Sequence, residues 1–376
     1  YAQNVNIPDA NFKAYLVGNS AINTNGDAEI QVSEATAFGG TIDCGGQSIS
    51  NLTGIEAFIT MTELYCDNNQ LTSLDVTQNT ALTYLDCQYN QLTSLDVSQN
   101  TALTGLICEA NQLTSLDVSQ NTALDWIQCC CNQLTSLDVS NNIALTGLYC
   151  SENQLTSLDV TQNTALTGLE CVYTQLTSLD VTQNTALTSL ECGENQLTSL
   201  DVSQNTALTY LHCNSNQLTS LDASQNTALT YLDCYINQLT SLDVTQNTAL
   251  TYLFCFDNQL TSLDVTQNTA LIMVHCAVNQ LTSLDVTQNT ALNYLRCNDN
   301  QLTCLNVKNG NNTFFYLLAT ANPNLTCIEV DDVAYSTANW TDIDAQTSFS
   351  TSCANSCALG IEELSNSPKQ LLKIVD

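Results

Sequence analysis

Leucine and cysteine recur along most of the chain at a fixed spacing of 21 residues. In the stretch LTYLDCQYNQLTSLDVSQNTA, residues 82–102, the apolar positions include Leu82, Leu85, Cys87 and Leu92. An extended strand alternates its side chains, so Leu85 and Cys87 would share one face while the residues beside them point to the other. The pattern predicts one short strand per 21 residues, with one buried face.

The cysteine of this stretch defines twelve uninterrupted copies. They lie at Cys66, Cys87, Cys108, Cys129, Cys150, Cys171, Cys192, Cys213, Cys234, Cys255, Cys276 and Cys297. One coil cannot bury its apolar face alone, but stacked coils form a parallel sheet about 4.8 Å per step with a continuous core. Equal positions in a parallel ladder face the same way, so these sulfurs are poorly placed for bridging. We interpret them as buried free thiols.

These positions, followed by Asn90, resemble the L-x-x-L-x-(L/C)-x-x-N-x-L signature of leucine-rich repeats, whose period is about 20–29 residues. The resemblance covers roughly residues 40–330. It implies a β-rich solenoid, a right-handed horseshoe or arc with a parallel concave sheet of about 14 strands. The asparagine recurs from Asn69 to Asn300, interrupted only by Thr174, and is expected to bond backbone groups of neighbouring coils.

The two ends of the repeat region have to be covered, because the terminal coils expose the core. Residues 1–39 predict a small helical N-terminal cap, and residues 331–357 an irregular C-terminal cap. Cys304 and Cys327 replace the serine of QLTSLDV in successive coils, which predicts that they form a disulfide.

A second disulfide between Cys353 and Cys357 is the other expectation for this end of the chain. Disulfides in the C-terminal cap imply an oxidising compartment.

The segment NTNGDAEIQVSE, residues 23–34, resembles the calcium loop of EF-hands and dockerins. The ligands implied by this resemblance are Asn23, Asn25, Asp27, Glu29, Gln31 and Glu34. Two departures are Asn23 in place of the usual first aspartate and Ala28 in place of the usual glycine. The alternative is a polar Asx-turn that caps a helix over residues 33–37.

The tail resembles the start of the C-terminal sorting domain that Bacteroidetes proteins use for type IX secretion. GIEEL (360–364) and LLKIVD (371–376) carry this resemblance. It assigns residues 358–376 to a linker and the start of that domain, with the secretion machinery as a partner during export across the outer membrane. The LTSLDVSQNTAL repeats also resemble secreted leucine-rich repeat proteins of flavobacteria, so the expected location is secreted or at the cell surface.

The chain has 5 Lys+Arg against 37 Asp+Glu, a net charge of −32. This balance argues against nucleic acid or an anionic membrane surface as a partner, and no segment approaches the length of a transmembrane span. Part of the excess comes from eleven aspartates of the LDV(T/S) segments, from Asp75 to Asp285. They are expected to cap the turn that follows by accepting backbone N–H bonds; a row of bound cations is the alternative.

Variation among the coils is concentrated on strand positions that would face out of the concave sheet, while QLTSLDV(T/S)QNTAL barely changes. The candidate ligand-binding residues are Tyr84, Asp86, Tyr89, Trp126, Tyr149, Tyr173, Tyr210, His212, Tyr231, Asp233, Tyr235, Tyr252, Phe254, Phe256, Tyr294 and Arg296. Tyr210, Tyr231, Tyr252 and Tyr294 share one position near the C-terminal end, with Met273 between the last two, and form a row about 5 Å apart. A constant scaffold with a varied, tyrosine-rich face is typical of recognition surfaces. Relaxed constraint on exposed strand positions is the alternative.

Catalysis has little support in the sequence. The two histidines, His212 and His275, lie three coils apart, about 14 Å by strand spacing. Cys130 and Cys131 have no histidine in the same or a neighbouring coil to activate a thiolate. We therefore predict a protein that is not an enzyme and uses no organic cofactor.

The sequence favours a recognition or adhesion protein whose concave face binds a glycan, a peptide or a protein. A structural component of the cell surface or extracellular matrix is the first alternative. Ice binding through the regularly spaced threonine rows is the second.

Overall fold

The computed structural model describes residues 3–355 and 357, and it is a solenoid built on one long parallel sheet. The strands of this sheet are β1 (Thr41–Asp43), β2 (Glu63–Tyr65), β3 (Tyr84–Asp86), β4 (Gly105–Ile107), β5 (Trp126–Gln128), β6 (Gly147–Tyr149), β7 (Gly168–Glu170), β8 (Ser189–Glu191), β9 (Tyr210–His212), β10 (Tyr231–Asp233), β11 (Tyr252–Phe254), β12 (Met273–His275), β14 (Tyr294–Arg296) and β16 (Tyr316–Leu318). These 14 strands confirm the predicted architecture.

Adjacent strands pair in register, so equal positions of the repeat lie side by side. Leu232 of β10, for example, aligns with Leu211 on one side and Leu253 on the other. All three are fully buried, as are the ladder cysteines. Those cysteines are free thiols, which confirms the prediction made for them. Burial raises the pKa of Cys87, so the thiol stays protonated and packs as a small apolar group.

The predicted asparagine ladder is present and connects each coil to its neighbours. Asn90 donates from Nδ2 to the carbonyl oxygens of Cys66 (3.0 Å) and Cys87 (3.1 Å), and its Oδ1 accepts from the N–H of Leu71 (2.9 Å). At the interruption, the hydroxyl of Thr174 lies 2.6 Å from Asn195 Oδ1. The ladder asparagines thus satisfy buried backbone groups at the point where the chain leaves each strand.

A second asparagine ladder, in the QNTAL segment, was not predicted. Its fully buried members are Asn79, Asn100, Asn121, Asn142, Asn163, Asn184, Asn205, Asn226, Asn247, Asn268 and Asn289. Asn163 is representative, because its Nδ2 donates to the carbonyl oxygens of Val139 (3.0 Å) and Asn142 (2.9 Å). Each coil is therefore attached to the preceding one by buried amides on two sides of the core.

The N-terminal cap contains two helices, α1 (Ala10–Gly18) and α2 (Val32–Ala37). Helix α1 begins after Asp9, whose carboxylate accepts from the N–H groups of Asn11 and Phe12. Phe12 is fully buried against the core. A single-turn 3-10 helix, Ile55–Ala57, follows in the first coil.

The C-terminal cap combines a second parallel sheet with one helix. The sheet contains β13 (Ser283–Asp285), β15 (Cys304–Asn306), β17 (Cys327–Glu329) and β18 (Ser348–Ser350). Helix α3 (Val333–Asn339) follows β17, and a 3-10 helix spans Asn312–Phe314. Buried Trp340 packs against Phe315 and Phe349 and closes the end of the core.

Two disulfides connect this cap, and the predicted pairing is wrong. The bonds are Cys304–Cys357 and Cys327–Cys353, with Cα atoms 5.4 and 5.9 Å apart. Cys304 and Cys327 occupy the same position on the paired strands β15 and β17, so their side chains point the same way. Each sulfur therefore bonds to a cysteine of the segment that follows β18, rather than to its neighbour in the ladder.

In the described part of the chain, no helix is both long and apolar enough to cross a membrane. Residues 358–376, to which the secretion-sorting prediction applies, lie outside the described residues.

Candidate functional site

The outward-facing side of the 14-stranded sheet, here called the sheet face, comprises the first and third residues of each strand and the two residues after each ladder cysteine. In β10, Tyr231 and Asp233 lie on this face and flank the buried Leu232. Seven of the ten exposed large apolar side chains of the described residues lie here. They are Tyr89, Trp126, Tyr173, Ile236, Tyr252, Val278 and Tyr316.

The predicted tyrosine row is present along strands β9 to β11. The rings of Tyr210 and Tyr231 stack with centroids 4.4 Å apart, and the next pair, Tyr231 and Tyr252, is 6.0 Å apart. Tyr252 is 37% exposed. Phe254 lies 5.5 Å from the ring of Tyr231 and widens the row. Register pairing of identical positions brings these rings into one line.

A second aromatic stack runs beside the tyrosine row. Phe256 lies between Tyr235 and His275, with centroid distances of 4.3 and 4.1 Å and nearly parallel planes. Both faces of the Phe256 ring are therefore covered by neighbouring rings. Burial and the nearby Arg296 lower the pKa of His275 to about 4, so this imidazole is neutral near pH 7.

The tyrosine row ends with Tyr294 and Tyr316, whose rings stack with centroids 4.8 Å apart. Tyr316 was not among the predicted site residues, because its coil departs from the repeat. The guanidinium carbon of Arg296 lies 5.4 Å from the centre of the Tyr294 ring. The sheet face is thus aromatic near its C-terminal end and carries one cation there.

Nearer the N-terminus, aromatic rings lie over glycines of the adjacent strand. A Cβ added to Gly147 would lie within 2.6 Å of the Trp126 ring, and one added to Gly105 within 2.5 Å of the Tyr84 ring. Trp126 also contacts Tyr149, with centroids 4.6 Å apart. The absence of a side chain at these glycines lets the rings rest on the backbone.

Ionisable side chains from three successive strands meet at His212. Its ring nitrogens lie 3.7 Å from Glu191 Oε2 and 3.7 Å from Asp233 Oδ2. Burial raises the pKa of Asp233 to about 6, against the opposing effect of His212. Although burial acts the other way, Glu191 and Asp233 raise the pKa of His212. The protonation states of His212 and Asp233 therefore depend on each other.

Two predicted ligand residues are less accessible than the alternation of the strand suggested. Asp86 is 6% exposed and Asp233 is 5% exposed, so the expectation that both face solvent is wrong. Gln88 folds over Asp86 and donates to its carboxylate, and His212 covers Asp233. A side chain of the same coil thus closes over Asp86, and one of the neighbouring coil closes over Asp233.

One residue in each coil, the second after the ladder cysteine, adopts a left-handed backbone conformation that the sequence did not reveal. Four of these positions carry large exposed side chains, which are Tyr89 (φ 50), Tyr173 (φ 53), Ile236 (φ 49) and Val278 (φ 52). Their N–H groups continue the bonds between coils, as from Ile236 to the carbonyl of Phe256 (3.0 Å). Because this conformation is unfavourable for β-branched residues, it is normally occupied by Gly, Asn or Asp.

The residues of the predicted calcium loop converge, but Glu34 is engaged by the protein itself. Its Oε1 accepts from the N–H groups of Thr24 (2.8 Å) and Asn25 (3.2 Å), and its Oε2 accepts from that of Gln31 (3.0 Å). Although burial acts the other way, these bonds lower the pKa of Glu34. The side chain thus caps α2 and the loop, and both of its carboxylate oxygens already accept hydrogen bonds from the backbone.

The remaining predicted ligands of that loop bond within it. Asn23 accepts from the N–H of Gly26, Asp27 accepts from the N–H of Glu29, and the Gln31 amide reaches Asp27. The Glu29 side chain points away and pairs with Lys13 at 2.7 Å. These bonds form the polar Asx-turn that the sequence offered as the alternative to a calcium site. Calcium binding by this loop stays a prediction.

The aspartates of the LDV(T/S) segments cap their turns as predicted. Asp159 accepts from the N–H (2.9 Å) and hydroxyl (2.7 Å) of Thr161, and these bonds lower its pKa. Within residues 3–355 and 357, no group of three or more His, Cys, Asp or Glu residues is arranged to hold a metal ion.

Comparisons with known proteins agree with this architecture. The chain is similar to the functional domain of InlJ from Listeria monocytogenes, which includes a cysteine ladder, with 38% identity and a TM-score of 0.73 over 89% of this chain and 78% of that one. The internalin InlF of the same species (20% identity, TM-score 0.68, 92% and 97% covered) and the LRR protein LIC12759 of Leptospira interrogans (22%, 0.65, 85% and 97%) share the fold. No protein-family model and no curated protein sequence matches the chain.

Proposed function

Because this chain belongs to the leucine-rich repeat family, we propose that it is a non-catalytic, secreted or cell-surface recognition protein that binds an extracellular partner through the sheet face. The two disulfides are consistent with an oxidising, extracellular environment. Adhesion is the biological role that such binding would serve.

The concentration of exposed apolar side chains on one face carries this proposal. Seven of ten lie on the sheet face, and clustered exposed apolar groups mark interaction sites in soluble proteins. Tyrosine supplies rigid, amphipathic contact area and is enriched in binding surfaces. The opposite sides of the coils carry the nearly constant QLTSLDV and QNTAL segments, whose buried residues serve stability.

The left-handed positions argue against relaxed constraint as the explanation. A left-handed conformation costs a residue with a Cβ about 1–2 kcal/mol, and more where the side chain is β-branched. Drift at an exposed position would therefore favour Gly, Asn or Asp, as at Asn68 and Asp257. Ile236 and Val278 are instead β-branched, and 44% and 45% exposed. Selection for surface contacts explains why these side chains are kept despite their cost.

The test is a binding screen with a heptapeptide display library and a glycan array, using the full chain. Tyr231→Ala plus Tyr252→Ala should abolish the binding that the wild type shows. The matched control, Gln246→Ala plus Gln267→Ala, changes exposed residues of the same two coils outside the sheet face and should bind normally. Binding that survives the tyrosine changes, or lateral filaments seen by microscopy, would instead favour a structural role.

A further inference from the structure

Arg296 is the only arginine of the chain, in a protein with 37 acidic residues. It lies on β14 at the third strand position and therefore on the sheet face. Among the described residues it forms no ion pair within 4.0 Å. Its Nε is buried and has no hydrogen-bond partner in that part of the chain. An unpaired buried donor of this kind is unfavourable by about 1–3 kcal/mol, and more for a charged group.

Among the described residues, no carboxylate lies within 4.0 Å of the Arg296 guanidinium. In register, His275 lies on one side and Leu318 on the other. Tyr294 lies in the same strand, and the nearest position of the following turn is Asn298, whose amide donates to Asp299. A guanidinium has five donors arranged to meet a carboxylate with two parallel bonds. The guanidinium donates no hydrogen bond to a described residue, and while its Nε is buried, its terminal nitrogens are available to a carboxylate of a bound partner.

The charge of the protein and the rings near the Arg296 guanidinium limit the kinds of partner that this site can bind. The net charge of −32 repels polyanions at long range, which favours a single carboxylate on an otherwise uncharged body. Sugars bind aromatic residues through a free ring face, but both faces of Phe256 are covered and one face of Tyr294 is covered by Tyr316. Exposed Val278 adds an aliphatic side chain to these rings, which suits the apolar side chains of a protein.

Building on the function proposed above, we infer that the C-terminal part of the sheet face binds an extended protein segment in which an Asp or Glu lies next to an apolar side chain. The carboxylate pairs with the guanidinium of Arg296. The apolar neighbour packs on Val278 and on the rings between Phe256 and Tyr316. The site would thus recognise one negative charge within an otherwise apolar protein segment.

Heptapeptide display on the full chain tests this inference. The wild type should enrich peptides with an acidic residue beside an aromatic or aliphatic one. Arg296→Gln should lose the acidic preference while keeping apolar peptides, and should bind a selected acidic peptide roughly 10–100-fold more weakly. Arg296→Lys should retain part of the acidic preference, because lysine keeps the positive charge but cannot form the two parallel hydrogen bonds of a guanidinium. Lys308→Gln, which removes one charge from the C-terminal cap, should behave like the wild type.

The single arginine also gives a direct spectroscopic readout. Labelling with 15N-arginine yields one Nε–H signal, which the acidic peptide should shift and its Asp→Asn or Glu→Gln twin should not.

The outcomes separate this inference from the function on which it rests. Wild-type selections that enrich apolar peptides without an acid, or an acidic preference unchanged in Arg296→Gln, would overturn the inference alone. If the wild type enriches no peptide, or if enrichment is unchanged both by Arg296→Gln and by loss of Tyr231 and Tyr252, the proposed peptide or protein recognition by the sheet face fails as well. Binding of acidic glycans that depends on Arg296, without peptide binding, would replace the protein partner by a sugar acid.

Discussion

Replacing Thr174 with asparagine should make the solenoid more stable, because it would repair the one interruption of the first asparagine ladder. In the neighbouring coils, Asn153 Oδ1 accepts from the N–H of Leu134 and Asn195 Oδ1 accepts from that of Leu176, at 2.9 and 3.0 Å. Among the described residues, the equivalent bond from the N–H of Leu155 to the side chain of residue 174 is absent. The shorter Thr174 side chain cannot reach this N–H, and its hydroxyl contacts Cys171 and Asn195 instead.

The expected gain in the free energy of unfolding follows from the hydrogen bonds that Thr174→Asn would add and remove. Asparagine would satisfy the buried N–H of Leu155 and would donate to the carbonyl oxygens of Cys150 and Cys171, which are equivalent to those of Cys129 and Cys150 that Asn153 contacts. It would lose the contact from the Thr174 hydroxyl to Asn195, whose Oδ1 would still accept from Leu176. With about 1 kcal/mol per net hydrogen bond and about 1–3 kcal/mol for an unsatisfied buried group, the free energy of unfolding should rise by about 1–3 kcal/mol.

Urea unfolding and native-state hydrogen exchange measure this effect. Thr174→Asn should shift the urea transition upward and slow exchange at the Leu155 amide. Thr177→Asn makes the same change at an exposed position of the next turn and should alter neither. Asn153→Thr, the reverse change one coil earlier, should lower stability by a similar amount. If Asn153→Thr is destabilising but Thr174→Asn is neutral, with rapid exchange at Leu155, the reasoning about this ladder is refuted.

Further predictions concern the second ladder, the ionisable cluster and the N-terminal loop. Asn163→Asp should destabilise by roughly 3–5 kcal/mol in urea unfolding, because it sets an uncompensated carboxylate against two carbonyl oxygens; Gln162→Glu, at the exposed neighbour, should change little. Since burial raises the pKa of Asp233 to about 6, its stabilising contribution is present below about pH 4 and lost as the pH rises through 6. Asp233→Asn should therefore flatten stability between pH 4 and 7, and an unchanged profile would contradict the assignment. For Glu34, whose pKa is lowered, stability is present above its unfolded pKa and lost in acid, so Glu34→Gln should weaken that acid dependence. Calcium in residues 23–34 predicts a lower melting temperature in excess chelator, whereas capping by Glu34 predicts no change, so this melt decides between the two.

The fixed repeat made the architecture predictable, because it leaves one way to stack the coils. The apolar positions of residues 82–102 specify the strand and its buried face, and repetition extends that result over the whole sheet. The first asparagine ladder was predictable for the same reason. The second was not, because asparagine in QNTAL is an ordinary turn residue by sequence, and only the stacked coils show that Asn163 is buried.

Features that depend on geometry between unlike segments were not predictable. The disulfide partners of Cys304 and Cys327 come from a C-terminal segment outside the repeat, so no periodic pattern places them. The left-handed conformation at Ile236 runs against the preference of that residue, so its sequence gives no signal of it. A hint existed in the same position of other coils, where Asn68 and Asp257 carry the residues that this conformation favours.

Recognition through the sheet face is tested most directly by hydroxyl-radical footprinting of the full chain, with and without the strongest peptide or glycan from the binding screen. We expect Tyr252 and Val278 to become protected on binding, while Ile143, which is 63% exposed and lies in a turn outside the sheet face, is oxidised equally in both states. Protection of Ile143 and its turn, with Tyr252 and Val278 equally oxidised throughout, would contradict the account.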